Sequence, residues 1–172
     1  MSKNRKTKRI CFMGLLFAVA VVLSYIEGMV TIPGLPPGIK LGLSNIVTMY
    51  CVFFLGVPSA YTLAILKALS VLLMRGPTGA LLSLLGGLVS VTVMLLLLRL
   101  EKNGLSYLVI SILGAIGHNM GQLFGAAMLT RTALTLYYFP ILILSGIGMG
   151  FVTGLVLKTV LPALEKLDRR LG

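Results

Sequence analysis

The chain has 172 residues, of which 58% are hydrophobic and 11% are charged, and its mean hydropathy is +1.04. A soluble domain cannot bury that much apolar surface, so the composition predicts a polytopic membrane protein. The net charge of +11 suggests nucleic acid, but its placement instead follows the positive-inside pattern of membrane proteins and excludes a nucleic-acid partner.

Eleven of the fifteen Lys and Arg residues fall in three places: the tail 1–9, the loop with Arg99 and Lys102, and the tail 158–172. A spanning helix takes about 20 residues, so the chain has room for six helices and no separate soluble domain. Six crossings place both termini on one side, and the basic residues make that side cytoplasmic. We therefore predict one all-α membrane domain over 1–172, a six-helix bundle in the cell membrane.

In chain order, the apolar runs predict helices at about 10–27, 41–55, 58–74, 80–98, 105–130 and 136–157. In the first helix, Gly14 and Ala18 form a small-x-x-x-small pair, which lets another helix approach closely. That neighbour is either an internal helix or a separate subunit.

An outer loop, 28–40, follows the first helix and contains the sequence IPGLPPGIK. Its prolines and glycines exclude regular helix, and its length favours a binding loop or lid over a plain turn. Ser44 and Asn45 then start the second helix. Their side chains either form local hydrogen bonds to the backbone or line a pocket.

Lys67 is the one basic residue well inside an apolar span. Burying an ammonium group costs several kcal/mol unless it finds a partner or water. Lys67 therefore extends towards the outer surface, makes a structural hydrogen bond, or binds an anionic ligand. The sequence from Arg75 to Gly79 predicts an outer turn.

The segment Gly114–Thr130 contains the only histidine, His118, with Asn119 and Gln122 close by. Such polar groups in a membrane helix face protein or a cavity, so the segment either lines a binding pocket or packs through side-chain hydrogen bonds. Glycines recur every fourth residue here and in the last helix, which predicts a very close contact between these two helices. The glycines are Gly117, Gly121 and Gly125, and Gly146, Gly150 and Gly154.

The chemistry needed for catalysis is missing from the sequence. Three of the four acidic residues lie at the cytoplasmic ends, so no pair can hold magnesium inside the bundle. There is no phosphate-binding Gly-x-x-x-x-Gly-Lys-Ser/Thr loop, and one isolated histidine is not a metal site. We therefore expect no enzyme activity and no cofactor bound by this chain. Basic residues on the outer side favour an amphipathic ligand with an anionic head.

Several segments together resemble a known family. A basic N-terminus, the Gly14/Ala18 helix, the long outer loop and six short helices resemble the substrate-binding S component of energy-coupling factor (ECF) importers. More closely, 33–35 through 42–46, Arg75-Gly76-Pro77 and 114–125 resemble the Gx transporter family, often labelled heptaprenyl diphosphate synthase component I.

The resemblance implies that Gly14 and Ala18 contact a transmembrane coupling subunit, although alanine at both positions is the usual form. It implies a ligand near the outer face, and ATP hydrolysis by two separate ATPase subunits. With Lys67 added from its position in a span, the candidate ligand-binding residues are Lys40, Asn45, Lys67, Arg75, His118, Asn119, Gln122 and Arg131.

The predicted function is thus the S component of an ECF-type importer for a small metabolite, such as an isoprenoid or quinone precursor or a vitamin-like anion. One alternative is a non-transporting membrane partner or scaffold in quinone- or flavin-linked electron transfer. Another is a membrane prenyl-diphosphate synthase component, which the residues disfavour because the one aspartate, Asp168, lies in the tail.

Overall fold

The computed structural model describes residues 3–29, 43–100, 106–132 and 137–171, and these are almost entirely helical. Most of the predicted outer loop, including Lys40, lies outside the described residues. The helices are α1 (Lys3–Met29), α2 (Asn45–Tyr50, continued by a π-helical stretch Cys51–Leu55), α3 (Val57–Leu100), α4 (Tyr107–Thr130) and α5 (Phe139–Leu171).

Four helices in the described part are long and apolar enough to cross a membrane. They are Thr7–Met29 within α1, all of α3, all of α4, and Phe139–Thr159 within α5. The stretch Asn45–Leu55 is apolar but shorter. The predicted class, an all-helical integral membrane protein, is therefore confirmed. The predicted ends differ in detail, since α1 begins within the basic tail and α5 continues to Leu171.

α3 is interrupted at a single residue. Its 44 residues would extend about 66 Å if straight, roughly twice the hydrocarbon thickness of a bilayer. Gly76 has φ 76° and ψ −175°, which is not helical, and it joins two helical arms. Pro77 starts the second arm, where its missing N–H is not needed. The predicted turn at 75–79 thus contracts to Gly76, between a first arm (57–75) and a second arm (77–100).

The part of the core nearest the N-terminus joins α1 to α2 and the first arm. Phe12 lies on the buried face of α1 and packs edge-on against Tyr50, with ring centroids 6.0 Å apart. Arg9 adds a polar link, because its Nη2 donates to the Leu55 carbonyl at 2.8 Å and to Ser59 Oγ at 3.0 Å. The Leu55 carbonyl, at the end of the π-helical stretch, also accepts from Ser59 Oγ at 3.2 Å.

Two glycine stripes, each a row of glycines four residues apart, let α4 pack closely against a neighbour on either side. One stripe belongs to α4 itself and the other to α5. The α5 stripe meets the α4 backbone, so an added Cβ at Gly146 would lie 3.1 Å from Ile116 Cα, which confirms the predicted contact. The α4 stripe does not face α5, however. A Cβ at Gly121 would lie 2.6 Å from the Leu85 carbonyl oxygen of the second arm. The two stripes therefore do not pair with each other, and α4 lies between the second arm and α5.

Candidate ligand-binding site

Lys67 is buried among helices and does not extend to the surface. It is 2% exposed, and its Nζ donates to Asn45 Oδ1 at 2.9 Å. Asn45 stands at the first residue of α2, where it faces the middle of the first arm. The predicted extension of Lys67 towards the outer surface is wrong, and the predicted structural hydrogen bond is present. An ammonium that must stay buried is stabilised by such an acceptor. Binding of an anionic ligand by Lys67 stays a prediction.

His118 and Gln122 pack against the second arm at Gly86. A Cβ at Gly86 would lie 2.9 Å from both side chains, so the missing side chain makes room for them. Both residues are buried, at 3% and 2% exposure. On α4 they share one helical face with Ser111, whose Oγ donates to Met49 Sδ of α2 at 3.1 Å. The same Ser111 Oγ also bonds the Gly150 carbonyl of α5 at 2.7 Å, so this face of α4 lies where the second arm, α2 and α5 meet.

The two pairs lie at the same height in the bundle. A Cβ at Gly87, next to Gly86, would lie 3.4 Å from Ala64 Cβ, and Lys67 is one turn beyond Ala64. We call Asn45, Lys67, His118, Asn119 and Gln122 the polar layer. His118 and Asn119 are the central residues of α4. The layer is thus deeper than the outer-face position that the resemblance implies.

Asn119 connects the layer to α5. Its Nδ2 donates to the Leu142 carbonyl at 2.8 Å and to Ser145 Oγ at 3.1 Å. Its Oδ1 is buried and has no hydrogen-bond partner among the described residues, and the same holds for Asn45 Nδ2 and Thr48 Oγ1. Buried polar groups are nearly always paired, so three such atoms need a partner that is not part of the described chain.

The arginines among the candidates lie apart from the layer. Arg75 is exposed at the break in α3. Its guanidinium lies against Gly28 near the end of α1, beside a cavity of about 170 Å³. Arg131 is exposed and caps α4 in the left-handed conformation, with φ 50°. The structure thus brings together five of the eight candidates; their role in ligand binding stays a prediction.

Two polar residues of this region, Thr48 and Ser145, are not among the residues predicted from the sequence. Thr48 is 1% exposed and lies one turn from Asn45 on the same face of α2. That spacing was the one available signal for Thr48. Ser145, which supports Asn119, carried no such signal. Among the described residues, no three His, Cys, Asp or Glu side chains come together as metal ligands would.

The predicted partner-contact positions lie on the outside of the bundle. Gly14 and Ala18 are both exposed on α1, and a Cβ added at Gly14 would meet no atom within 4 Å. Gly14 lines an apolar groove of about 600 Å³ between α1 and the first arm, and Arg9 is also among the lining residues. Larger side chains at these two positions would therefore not disturb the packing of the chain itself.

Comparisons with known proteins agree with this architecture. The solved structure of the S component of a bacterial ECF transporter superposes with a TM-score of 0.60 at 22% identity, covering 96% of this chain and 97% of the other. That likeness shows a shared fold. No curated protein matches the chain. The family model described as heptaprenyl diphosphate synthase component I matches residues 16–160. The chain belongs to the heptaprenyl diphosphate synthase component I family.

Proposed function

We propose that this chain is the substrate-binding S component of an ECF-type importer and binds a small anionic metabolite. The observation that carries the proposal is the polar layer, five buried polar side chains in the middle of an apolar helical bundle. Polar groups at that depth mark binding sites and transport pathways more often than packing contacts. The shared fold with an S component supports the same function.

The proposed topology has six crossings with both termini in the cytoplasm. The two arms of α3 each have the length of one crossing, and the stretch Asn45–Leu55 provides a short one. The basic residues at both chain ends favour the cytoplasmic side of the cell membrane. In this proposal the chain itself carries no catalytic step. A transmembrane coupling subunit contacts Gly14 and Ala18, and two partner ATPases hydrolyse ATP.

The test is assembly with the partner subunits. The chain is co-expressed with a tagged coupling subunit and two ATPases, and the Gly14→Leu/Ala18→Leu double variant is compared with wild type. We expect the double variant to keep its thermal stability and to lose co-purification, because both positions are exposed and only an external helix would clash with leucine there.

Gly148→Leu is the matched control. A Cβ there also meets no atom within 4 Å, but Gly148 lies on α5, away from the proposed contact. The control should assemble like wild type. Assembly retained in the double variant, or no assembly with wild type, would contradict the proposal. In the second case, a stable chain without any bound metabolite would instead support the membrane-scaffold alternative.

A further inference from the structure

Three buried side-chain atoms in or beside the polar layer have hydrogen-bonding capacity that no described residue uses. They are Asn45 Nδ2, Thr48 Oγ1 and Asn119 Oδ1, on residues that are 4%, 1% and 2% exposed. Each unpaired buried group costs about 1–3 kcal/mol, and a lipid-embedded bundle offers no bulk water to replace the missing bond. Such a set is expected where the missing partner is a ligand.

The hydrogen-bond partners of the Asn45 and Asn119 amides determine whether the donor or the acceptor of each amide remains unpaired. Asn45 turns its oxygen to the Lys67 ammonium, a group that can only donate, so its unused atom is the N–H₂ donor. Asn119 turns its nitrogen to the Leu142 carbonyl, which can only accept, so its unused atom is the oxygen acceptor. Rotating either amide by half a turn would place like groups against each other, so these orientations do not depend on an arbitrary choice.

The charge of Lys67 favours an anion at the free donor. Asn45 Nδ2 belongs to the same amide that binds the Lys67 ammonium, 2.9 Å away at Oδ1. A ligand oxygen that accepts from Nδ2 therefore also lies within a few ångströms of a positive charge in a low-dielectric interior. Charge-assisted hydrogen bonds are roughly twice as strong as neutral ones, so a carboxylate or phosphate oxygen fits this end better than a ketone.

The free acceptor, Asn119 Oδ1, lies on a different helix from the free donor. Ser111 Oγ lies 3.1 Å from Met49 Sδ, which brings α2 and α4 together at one point. Asn45 lies about one helical turn from Met49, and Asn119 lies about two turns from Ser111. A small molecule is long enough to bridge Asn45 on α2 and Asn119 on α4. Its end at Asn119 must donate, because Asn119 Oδ1 can only accept.

Resting on the proposed function, we propose that the cargo combines two groups in one molecule. A carboxylate or phosphate oxygen accepts from Asn45 Nδ2 beside Lys67, and an N–H or O–H group donates to Asn119 Oδ1. Thr48, whose hydroxyl both donates and accepts, binds at either group. A prenyl diphosphate has an anionic head but no donor on its hydrocarbon chain, and a quinone has neither group. The two free atoms therefore favour a hydroxy- or amino-substituted acid.

The test identifies what the protein carries. Full-length protein is purified in mild detergent, the bound small molecules are released, and mass spectrometry with hydrogen–deuterium exchange records their acidic groups and exchangeable hydrogens. The key variant is Asn45→Asp, which keeps the acceptor for Lys67 and replaces the free donor with a negative oxygen. We expect this variant to fold at least as stably as wild type and to carry about 100-fold less bound cargo, because the new carboxylate repels an anion.

Thr48→Val removes the third unpaired atom without changing the shape of the side chain. We expect unchanged or higher stability without ligand, because no hydrogen bond is lost, together with about tenfold less bound cargo. Thr159→Val is its control: Thr159 is exposed on α5 and bonds the Leu155 carbonyl at 3.0 Å. The control should carry as much cargo as wild type.

Three results would overturn the inference: an enriched molecule that lacks either group, an Asn45→Asp variant that keeps its cargo, or no enriched molecule at all. If one of these occurs while the coupling subunit still co-purifies, the assignment of the cargo is wrong and the role as a subunit of the importer stands. If the coupling subunit also fails to bind, both are wrong.

Discussion

At the scale of single residues, the hydrogen bond between Lys67 and Asn45 stabilises a charge that is buried inside the bundle. We predict that Asn45→Leu lowers the free energy of unfolding by about 3 kcal/mol, because it removes an acceptor from a buried ammonium. Adding Lys67→Met should restore most of that loss, since the charge that needed the acceptor is gone. Reversible unfolding in mixed micelles measures the four-way double-mutant cycle.

Additive effects of the two substitutions would contradict this prediction, because they would mean that the 2.9 Å contact contributes no coupling. The burial of His118, Asn119 and Gln122 could be predicted from sequence, since amides and imidazoles are costly against lipid. The role of Thr48 could not. A threonine hydroxyl can donate to the backbone carbonyl four residues earlier, as that of Thr159 does. A threonine in a helix therefore does not show whether its face meets lipid or lines a binding site.

At the scale of helices, the glycines of α5 differ in their surroundings, and this provides a matched pair of variants. An added Cβ at Gly150 would collide with the Ile112 backbone of α4, whereas one at Gly148 meets nothing within 4 Å. We predict that Gly150→Ala destabilises the protein by about 1–3 kcal/mol through forced separation of the helices. Gly148→Ala should be neutral or slightly stabilising, because alanine is the better helix former. Thermal unfolding in detergent compares them.

Equal effects of the two substitutions would mean that α4 and α5 are not packed backbone to backbone. The sequence predicted this contact correctly because a four-residue glycine period creates a flat helical face. It could not identify the neighbour of the α4 stripe, because a flat face fits any close helix. The break in α3 was predicted as a five-residue turn, since Gly-Pro sequences commonly form loops. In the structure, one glycine with positive φ, Gly76, is sufficient to interrupt the helix.

At the scale of the whole molecule, the break at Gly76 decides how often the chain crosses the membrane. In a background without Cys11 and Cys51, we predict that Thr78→Cys reacts with a membrane-impermeant maleimide added to intact cells. Lys8→Cys should react only after lysis. The reason is that each arm of α3 has the length of one crossing, so the proposed topology places the exposed break at the outer surface. Protection of Thr78→Cys in both conditions would place the break inside the bilayer.

The close packing of α4 against the second arm and α5 affects how the molecule can move. Gly121 lies against the Leu85 carbonyl and Gly150 lies against the Ile112 backbone, so at these two positions backbone meets backbone without an intervening side chain. α1, α2 and the first arm form the other side, tied together by Arg9 and by Lys67. We therefore expect the bundle to open more readily between the two sides, at a boundary that separates Asn45 and Thr48 from Asn119. Opening the bundle there would free a ligand held between Asn45 and Asn119 while the Gly121 and Gly150 contacts stay intact.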